Sequence, residues 1–156
     1  MLKSVLAFLA LPGFAAGVVP TILIRSDPWR LEGSLFALLL AVVGLSILGR
    51  CVWDFHVFGR GTLAHWSPPK KLVNIGLYRR VRNPMYVGVI SLILGLALTF
   101  GSPLALLWLV LLTTAFHLHI VLIEEPWLAC EFPEEWAEYS ARVSRWWPSF
   151  KRGGRP

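Results

Sequence analysis

The sequence predicts an all-α, polytopic membrane protein: about four transmembrane helices, with a central loop and a C-terminal amphipathic helix gathered on one side of the bilayer. Three observations carry that reading. The 156 residues are 56% hydrophobic and only 15% charged, whereas a soluble domain carries about 25% charged residues. Four apolar stretches approach the roughly 20 residues that a hydrocarbon core requires. Basic residues crowd two segments of the chain and leave the connections between them nearly bare.

The first stretch runs from about Val5 to Ile24. Lys3 ahead of it and the small residues Gly13-Phe14-Ala15-Ala16-Gly17 resemble parts of a cleaved leader. The apolar run continues past them to Ile24, however, and removing it would leave an odd number of spans, so it is expected to be retained. The second stretch is Leu35 to Trp53. A turn-rich loop of about residues 54 to 83 follows, punctuated by Gly59-Arg60-Gly61-Thr62, Ser67-Pro68-Pro69 and Asn74-Ile75-Gly76.

Asn83-Pro84 then reads as a helix start, because Asn is a favoured N-cap and Pro a favoured first helical residue. The third span, Tyr86 to Phe100, is short and must stand upright or begin at headgroup level. Only Gly101-Ser102-Pro103 separates it from the fourth, Leu104 to Ile123, which makes the pair a tight antiparallel hairpin. Pro126 should break or kink the chain there. From Pro133 to Arg145, Trp136, Tyr139, Ser140 and Val143 recur at helical spacing, with Glu134, Glu135, Glu138 and Arg142 on the other faces, as in a surface helix. Trp146-Trp147-Pro148 stops it. Residues 1–150 form one domain, and residues 151–156 are expected to be a disordered tail.

Charge orients the chain. Arg50, Arg60, Lys70, Lys71, Arg79, Arg80 and Arg82 lie between spans two and three, and Arg142, Arg145, Lys151, Arg152 and Arg155 follow span four. Between spans one and two, Arg25 and Arg30 are matched by Asp27 and Glu32. The positive-inside rule therefore puts both termini and the central loop in the cytoplasm, in an inner or plasma membrane. The net charge of +6 then suits anionic lipid headgroups. It does not suit nucleic acid, since no basic stripe is interleaved with base-stacking aromatics. Cys51 and Cys130 lack a CxxC partner, and His56, His65, His117 and His119 lack metal-ligand spacing, so neither a disulfide framework nor a metal site is expected.

The chemistry concentrates at the two cytoplasmic ends of the hairpin. The start of span three offers free amide hydrogens and a partial positive charge, surrounded by Arg79, Arg80 and Arg82; together they suit a carboxylate or phosphate. Anchoring of those arginines to lipid phosphates is the simpler alternative. Span four ends in Glu124-Glu125, and paired carboxylates there need a partner or a function. Antiparallel packing brings both ends to one level. A cation needing a carboxylate, joined to an anion needing a helix N-terminus, describes the methionine portion of S-adenosylmethionine, with Tyr78 and Tyr86 as aromatic flanks. Simple pairing of Glu124 and Glu125 with the arginines would leave the same signature.

At these residues the sequence resembles the integral-membrane methyltransferases that include isoprenylcysteine carboxyl methyltransferase and, more distantly, phospholipid N-methyltransferases. The resemblance covers Gly59 to Pro148. It rests on Gly61-Thr62, Pro68-Pro69-Lys70-Lys71-Leu72-Val73, Gly76-Leu77-Tyr78-Arg79, Arg82-Asn83-Pro84-Met85-Tyr86-Val87-Gly88, Glu124-Glu125 with Leu128, and Phe132, Tyr139, Val143, Arg145 and Pro148 in that order. It implies a membrane-embedded S-adenosylmethionine site built from Lys70, Lys71, Leu72, Val73, Tyr78, Asn83, Pro84, Met85, Tyr86 and Glu124, with Glu124, Glu125 and Arg82 as the reacting set. Asn83 stands where the eukaryotic members carry histidine, and Ile120 where the prenylcysteine enzymes carry an arginine that orients the substrate carboxylate. The implied reaction is methyl transfer to a lipophilic or prenylated acceptor. A carboxylate acceptor needs no general base, and for an amine Glu125 is the expected proton acceptor. A non-catalytic scaffold, in which the same motifs only lock the hairpin, is the reading from another class.

Overall fold

The computed structural model describes residues 13–58, 72 and 74–148, with side chains omitted at 55–58. Lys70, Lys71 and Val73, the Gly61-Thr62 and Pro68-Pro69 elements, and the expected tail at 151–156 lie outside the described residues.

Two helical runs are long and apolar enough to cross a membrane, Ala37–Asp54 and Pro103–Glu131, while the apolar helices Phe14–Ser26 and Pro84–Phe100 are shorter. Helix α1 (Val19–Ser26) follows a wide π-turn at Phe14–Val18. A tight turn at Leu35–Ala37 leads into α2 (Leu38–Phe58), which continues past the predicted end at Trp53. Next come α3 (Pro84–Phe100), α4 (Pro103–His119), a second π-turn at Ile120–Glu124, α5 (Glu125–Glu131) and α6 (Pro133–Arg142). Among the described residues Val81 and Ser144 make an isolated parallel bridge, and no strand forms.

Both π-turns have one cause. In each, the second residue after the turn is a proline, Pro20 or Pro126. A proline ring clashes with the carbonyl four residues back and brings no amide hydrogen. Widening the turn relieves that clash: Val19 N–H reaches Phe14 O, and Glu125 N–H reaches Ile120 O, five residues back in both cases. The next carbonyl in the first turn, Ala15 O, would need the hydrogen that Pro20 lacks. It accepts the Trp108 indole N–H instead, at 3.0 Å. Of the expected break or kink at Pro126, the break does not occur: the helical run continues to Glu131, and the proline expresses itself as a bulge upstream. Ala16, inside the small-residue run that could suggest a cleavage site, is buried against Val89, Ile93 and Leu109.

Helices α2 and α3 pack backbone to backbone. A Cβ on Gly44 would lie 2.4 Å from Leu92 N and 2.6 Å from Gly88 O, and one on Gly95 would lie 2.3 Å from Ala41 N. Small residues permit such an approach, which gives dispersion contacts where lipid removes the hydrophobic drive. Outward faces stay apolar: Leu39, Val42, Val43 and Leu45 on α2, and Leu107, Val110 and Leu111 on α4, are exposed.

At the hairpin turn, Gly101 adopts φ +60°, and a Cβ there would meet Leu31 O at 2.1 Å. Leu31 N–H bonds Gly101 O at 2.8 Å, and Ser34 N–H bonds Leu98 O at 3.1 Å, strapping the connection after α1 over the turn. The sequence pairs Arg25 and Arg30 with Asp27 and Glu32; the structure uses Asp27 differently. Its buried carboxylate accepts Ser102 Oγ–H, the Leu104 amide at 2.9 Å and the Trp29 amide at 2.9 Å, so it caps α4 from outside the helix. Arg30 donates to the Ile24 carbonyl at the end of α1.

Burial pushes the Asp27 carboxyl up, but the Ser102, Leu104 and Trp29 hydrogen bonds, with Arg30 nearby, outweigh it and hold the group below its ordinary 3.8. A carboxyl depressed in the folded state stabilises above its unfolded pKa, and that contribution is lost as pH falls through the lower folded value. The melting temperature of detergent-solubilised protein should therefore drop as pH falls below 3.8. Asp27→Asn should melt lower at neutral pH and lose that acid limb; an unchanged limb would assign it to other groups.

Candidate active site

The end of the bundle opposite the hairpin turn gathers the predicted residues. A short 3₁₀ turn at Gly76–Arg79 carries Tyr78, and Asn83 sits at the N-cap position of α3 with buried Pro84 and Met85 following. From the other side the second π-turn ends on Glu124 and delivers Glu125 to the start of α5. Tyr86 Oη donates to Glu124 Oε2 at 3.4 Å, long for an O–H···O bond. The Tyr86 ring packs on Phe116, with centroids 4.5 Å apart. Asn83 and Glu124 thus stand at one end of the antiparallel pair, as the sequence requires. Leu72 is half-buried before this turn.

Glu125 is the centre of an ion-pair cluster. Arg82 Nη1 lies 2.9 Å from Oε1, Arg145 Nε 2.8 Å from Oε1, and Arg145 Nη2 2.7 Å from Oε2. The bond to Glu125 raises the Arg145 guanidinium further above its ordinary value, against the opposing cost of burial. Arg82 also lies 5.5 Å over the Trp136 ring, within cation–π range. Its Nε is buried and has no acceptor.

The tail therefore joins this cluster, as expected of a C-terminal helix that helps to form the pocket, although no tail residue is among the expected site residues. Arg82 N–H bonds Ser144 O at 2.9 Å. Tyr139 Oη donates to Tyr78 O at 2.7 Å, and Trp146 Nε1 approaches His117 Nδ1 at 3.4 Å. Burial raises the Tyr78 and Tyr139 phenols above their ordinary range, so both serve as neutral groups. Their recurrence among the resemblance elements is the signal that could have placed Arg145 and Tyr139 here.

Two expectations are corrected. Asn83 occupies the N-cap position, but its side chain does not cap; Nδ2 donates to Arg145 O at 3.3 Å and holds the tail instead. The first amides of α3 consequently keep no side-chain acceptor from Asn83. The tail helix stops at Arg142, not Arg145, because Val143 turns extended (φ −111°, ψ 125°) so that Ser144 can meet Val81 and Arg145 can reach Glu125.

Residues 33–135, more than half of the chain, match the profile of the phospholipid methyltransferase family. The chain belongs to the phospholipid methyltransferase family. No curated protein and no solved structure is matched. The family match begins upstream of the expected Gly59 boundary and takes in all of α2, α3, α4 and Glu124-Glu125. It stops within α6, so the tail contacts made by Tyr139 and Arg145 lie beyond the part this chain shares with the phospholipid methyltransferase family profile.

Proposed function

We propose that the chain is an S-adenosylmethionine-dependent methyltransferase acting on a lipophilic acceptor at the cytoplasmic face of a membrane, with Phe14–Ser26 and Pro84–Phe100 completing four spans. One observation carries the reading: the acidic end of the α4 run and the amide-bearing start of α3 converge, with the Tyr86–Glu124 contact and the Arg82–Glu125 pair between them. The donor set fits the cofactor. Glu124 supplies a carboxylate for a sulfonium, while the uncapped α3 amides and the orphaned Arg82 Nε supply donors for an amino-acid carboxylate.

When bound, the cofactor would supply an electrophilic methyl group to the acceptor's lone pair, with the neutral thioether as leaving group. The protein's task is alignment and exclusion of water, and orientation can be worth about 7 to 11 kcal/mol in favourable cases. Tyr86 and Phe116 wall the apolar side, and exposed Leu118, Leu122 and Ile123 leave a bilayer-facing approach beside Glu124. Both Glu125 oxygens already accept from guanidinium groups, so we assign Glu125 to holding the tail and Arg82 in place. An amine on a lipid headgroup is the acceptor favoured by the family's name and by Ile120. That side chain is 1% exposed and brings no charge to bind an acceptor carboxylate.

The test is titration of nanodisc-embedded protein with S-adenosylhomocysteine. Saturable binding is expected, weakened about tenfold or more by Glu124→Gln, a loss on the scale of one charged hydrogen bond, with the melting temperature little changed. A flat titration of the wild type would establish the scaffold reading instead.

A further inference from the structure

Among the described residues two buried side-chain atoms lack a hydrogen-bond partner: Arg82 Nε and Asp54 Oδ1. Arg82 belongs to the site above. Asp54 does not, although it is 1% exposed near the end of α2. Among the described residues its ion-pair partner is Arg50, one turn earlier, whose side chain is 58% exposed. Arg50 Nε lies 3.1 Å from Oδ1 but directs its hydrogen to Oδ2 at 3.3 Å. The charge is thus balanced from the solvent side, and one lone-pair face of Oδ1 is left unused inside.

The nearest backbone to the carboxylate is a glycine. Gly76, at φ +54°, lays its backbone against the carboxylate so closely that a Cβ would lie 2.2 Å from Oδ2. A left-handed glycine here costs chain entropy and removes the side chain that would otherwise cover Asp54. Gly76 begins the turn that carries Tyr78. Tyr78 is buried in one cluster with Cys51, one turn before Asp54 on α2, and with Met85 at the start of α3. Asp54 is therefore tied, through Gly76 and Cys51, to the turn that carries Tyr78.

We propose that Asp54 Oδ1 accepts the sugar hydroxyls of the cofactor's nucleoside, making α2 a third wall of the site; this rests on the methyl-transfer reading above. A second cation is not what Asp54 lacks, because Arg50 already neutralises it. A neutral donor is, and a sugar diol offers two, in the manner of the acidic side chain that receives a ribose hydroxyl in dinucleotide-binding folds. The two orphaned atoms then divide one ligand between them. Arg82 Nε faces its amino-acid carboxylate and Asp54 Oδ1 its ribose, with Tyr78 between.

The measurement compares S-adenosylhomocysteine with its 2′-deoxy and 3′-deoxy analogues on wild-type and Asp54→Asn protein in nanodiscs. Removing a donor from a built, buried acceptor should weaken binding to the wild type about 10- to 100-fold for at least one deoxy analogue. Asp54→Asn should weaken the parent ligand by a similar factor and erase the discrimination. If the wild type binds all three equally, the inference fails while the methyl-transfer reading stands; this arm needs no variant and so survives an Asp54→Asn protein that does not fold. If Asp54→Asn weakens all three by the same factor, Asp54 only supports the Gly76 turn. If the wild type binds none of them, both readings fall.

Discussion

Gly95→Leu is expected to yield little folded protein, and Gly44→Leu the same. The added Cβ alone would sit 2.3 Å from Ala41 N and 2.7 Å from Ala41 Cα in the first case, and 2.4 Å from Leu92 N and 2.6 Å from Gly88 O in the second. Those neighbours are helix backbone, which has no rotamer to give, so α2 and α3 must separate along their length. Overpacking a core that can adjust costs roughly 1 to 3 kcal/mol, and here the dispersion contacts of the whole interface are forfeited as well. Even Gly95→Ala should lower the melting temperature. Gly49→Ala is the matched control: it lies on α2 with Gly44, but nothing is within 4 Å of the added Cβ. It should leave stability unchanged or raise it by up to about 1 kcal/mol, from helix propensity. Size-exclusion profiles and melting curves in detergent read all four variants. A Gly95→Leu protein that melts like the wild type would mean that α2 and α3 are not in backbone contact.

The sequence displays the hairpin because its signals are local. Asn83-Pro84 starts α3, and Gly101-Ser102-Pro103 ends it and begins α4 with positive φ at Gly101 and Ser102 as cap. Glu124-Glu125 meets the Arg82 end for the same reason: antiparallel neighbours joined by three residues leave no other register. What the sequence hides depends on contacts between distant segments. Whether Asn83 caps its own helix or holds the tail is decided by Arg145 O, 62 residues away. Asp27 looks like a partner for a nearby arginine but reaches 77 residues forward to the Leu104 amide. The π-turns fall between these cases. Pro20 and Pro126 are visible, but that each widens the preceding turn follows only once the helix is known to continue, since a proline in water more often ends one. Arg82 and Glu125 each appear on reading the chain, whereas the second guanidinium does not, because periodicity alone runs α6 through Arg145.

That second guanidinium sets the last prediction. Glu125→Ala should be the most destabilising single change at the site, because it strands two guanidinium groups at once. Arg82 is only 15% exposed and Arg145 31%. Removing one member of a buried pair costs about 3 to 5 kcal/mol, chiefly because the survivor stays desolvated; the exposure of Arg145 puts the expected loss toward the lower figure. Arg145→Ala should cost less, since Glu125 keeps Arg82 at 2.9 Å. Glu125→Gln should fall between, retaining one acceptor oxygen but no charge. The loss should also be local before it is global. Arg145 is joined to Asn83 through its carbonyl, and Tyr139 to Tyr78, so freeing the arginine loosens α6 while the hairpin, held by Gly101, Ser102 and Asp27 at its far end, remains. Tryptophan emission from Trp136 and Trp146 and protease nicking after Arg142 should therefore change at temperatures below the main melt. A Glu125→Ala protein with wild-type melting and an uncut tail would show the cluster to be screened by water, and the tail held by Tyr139 alone.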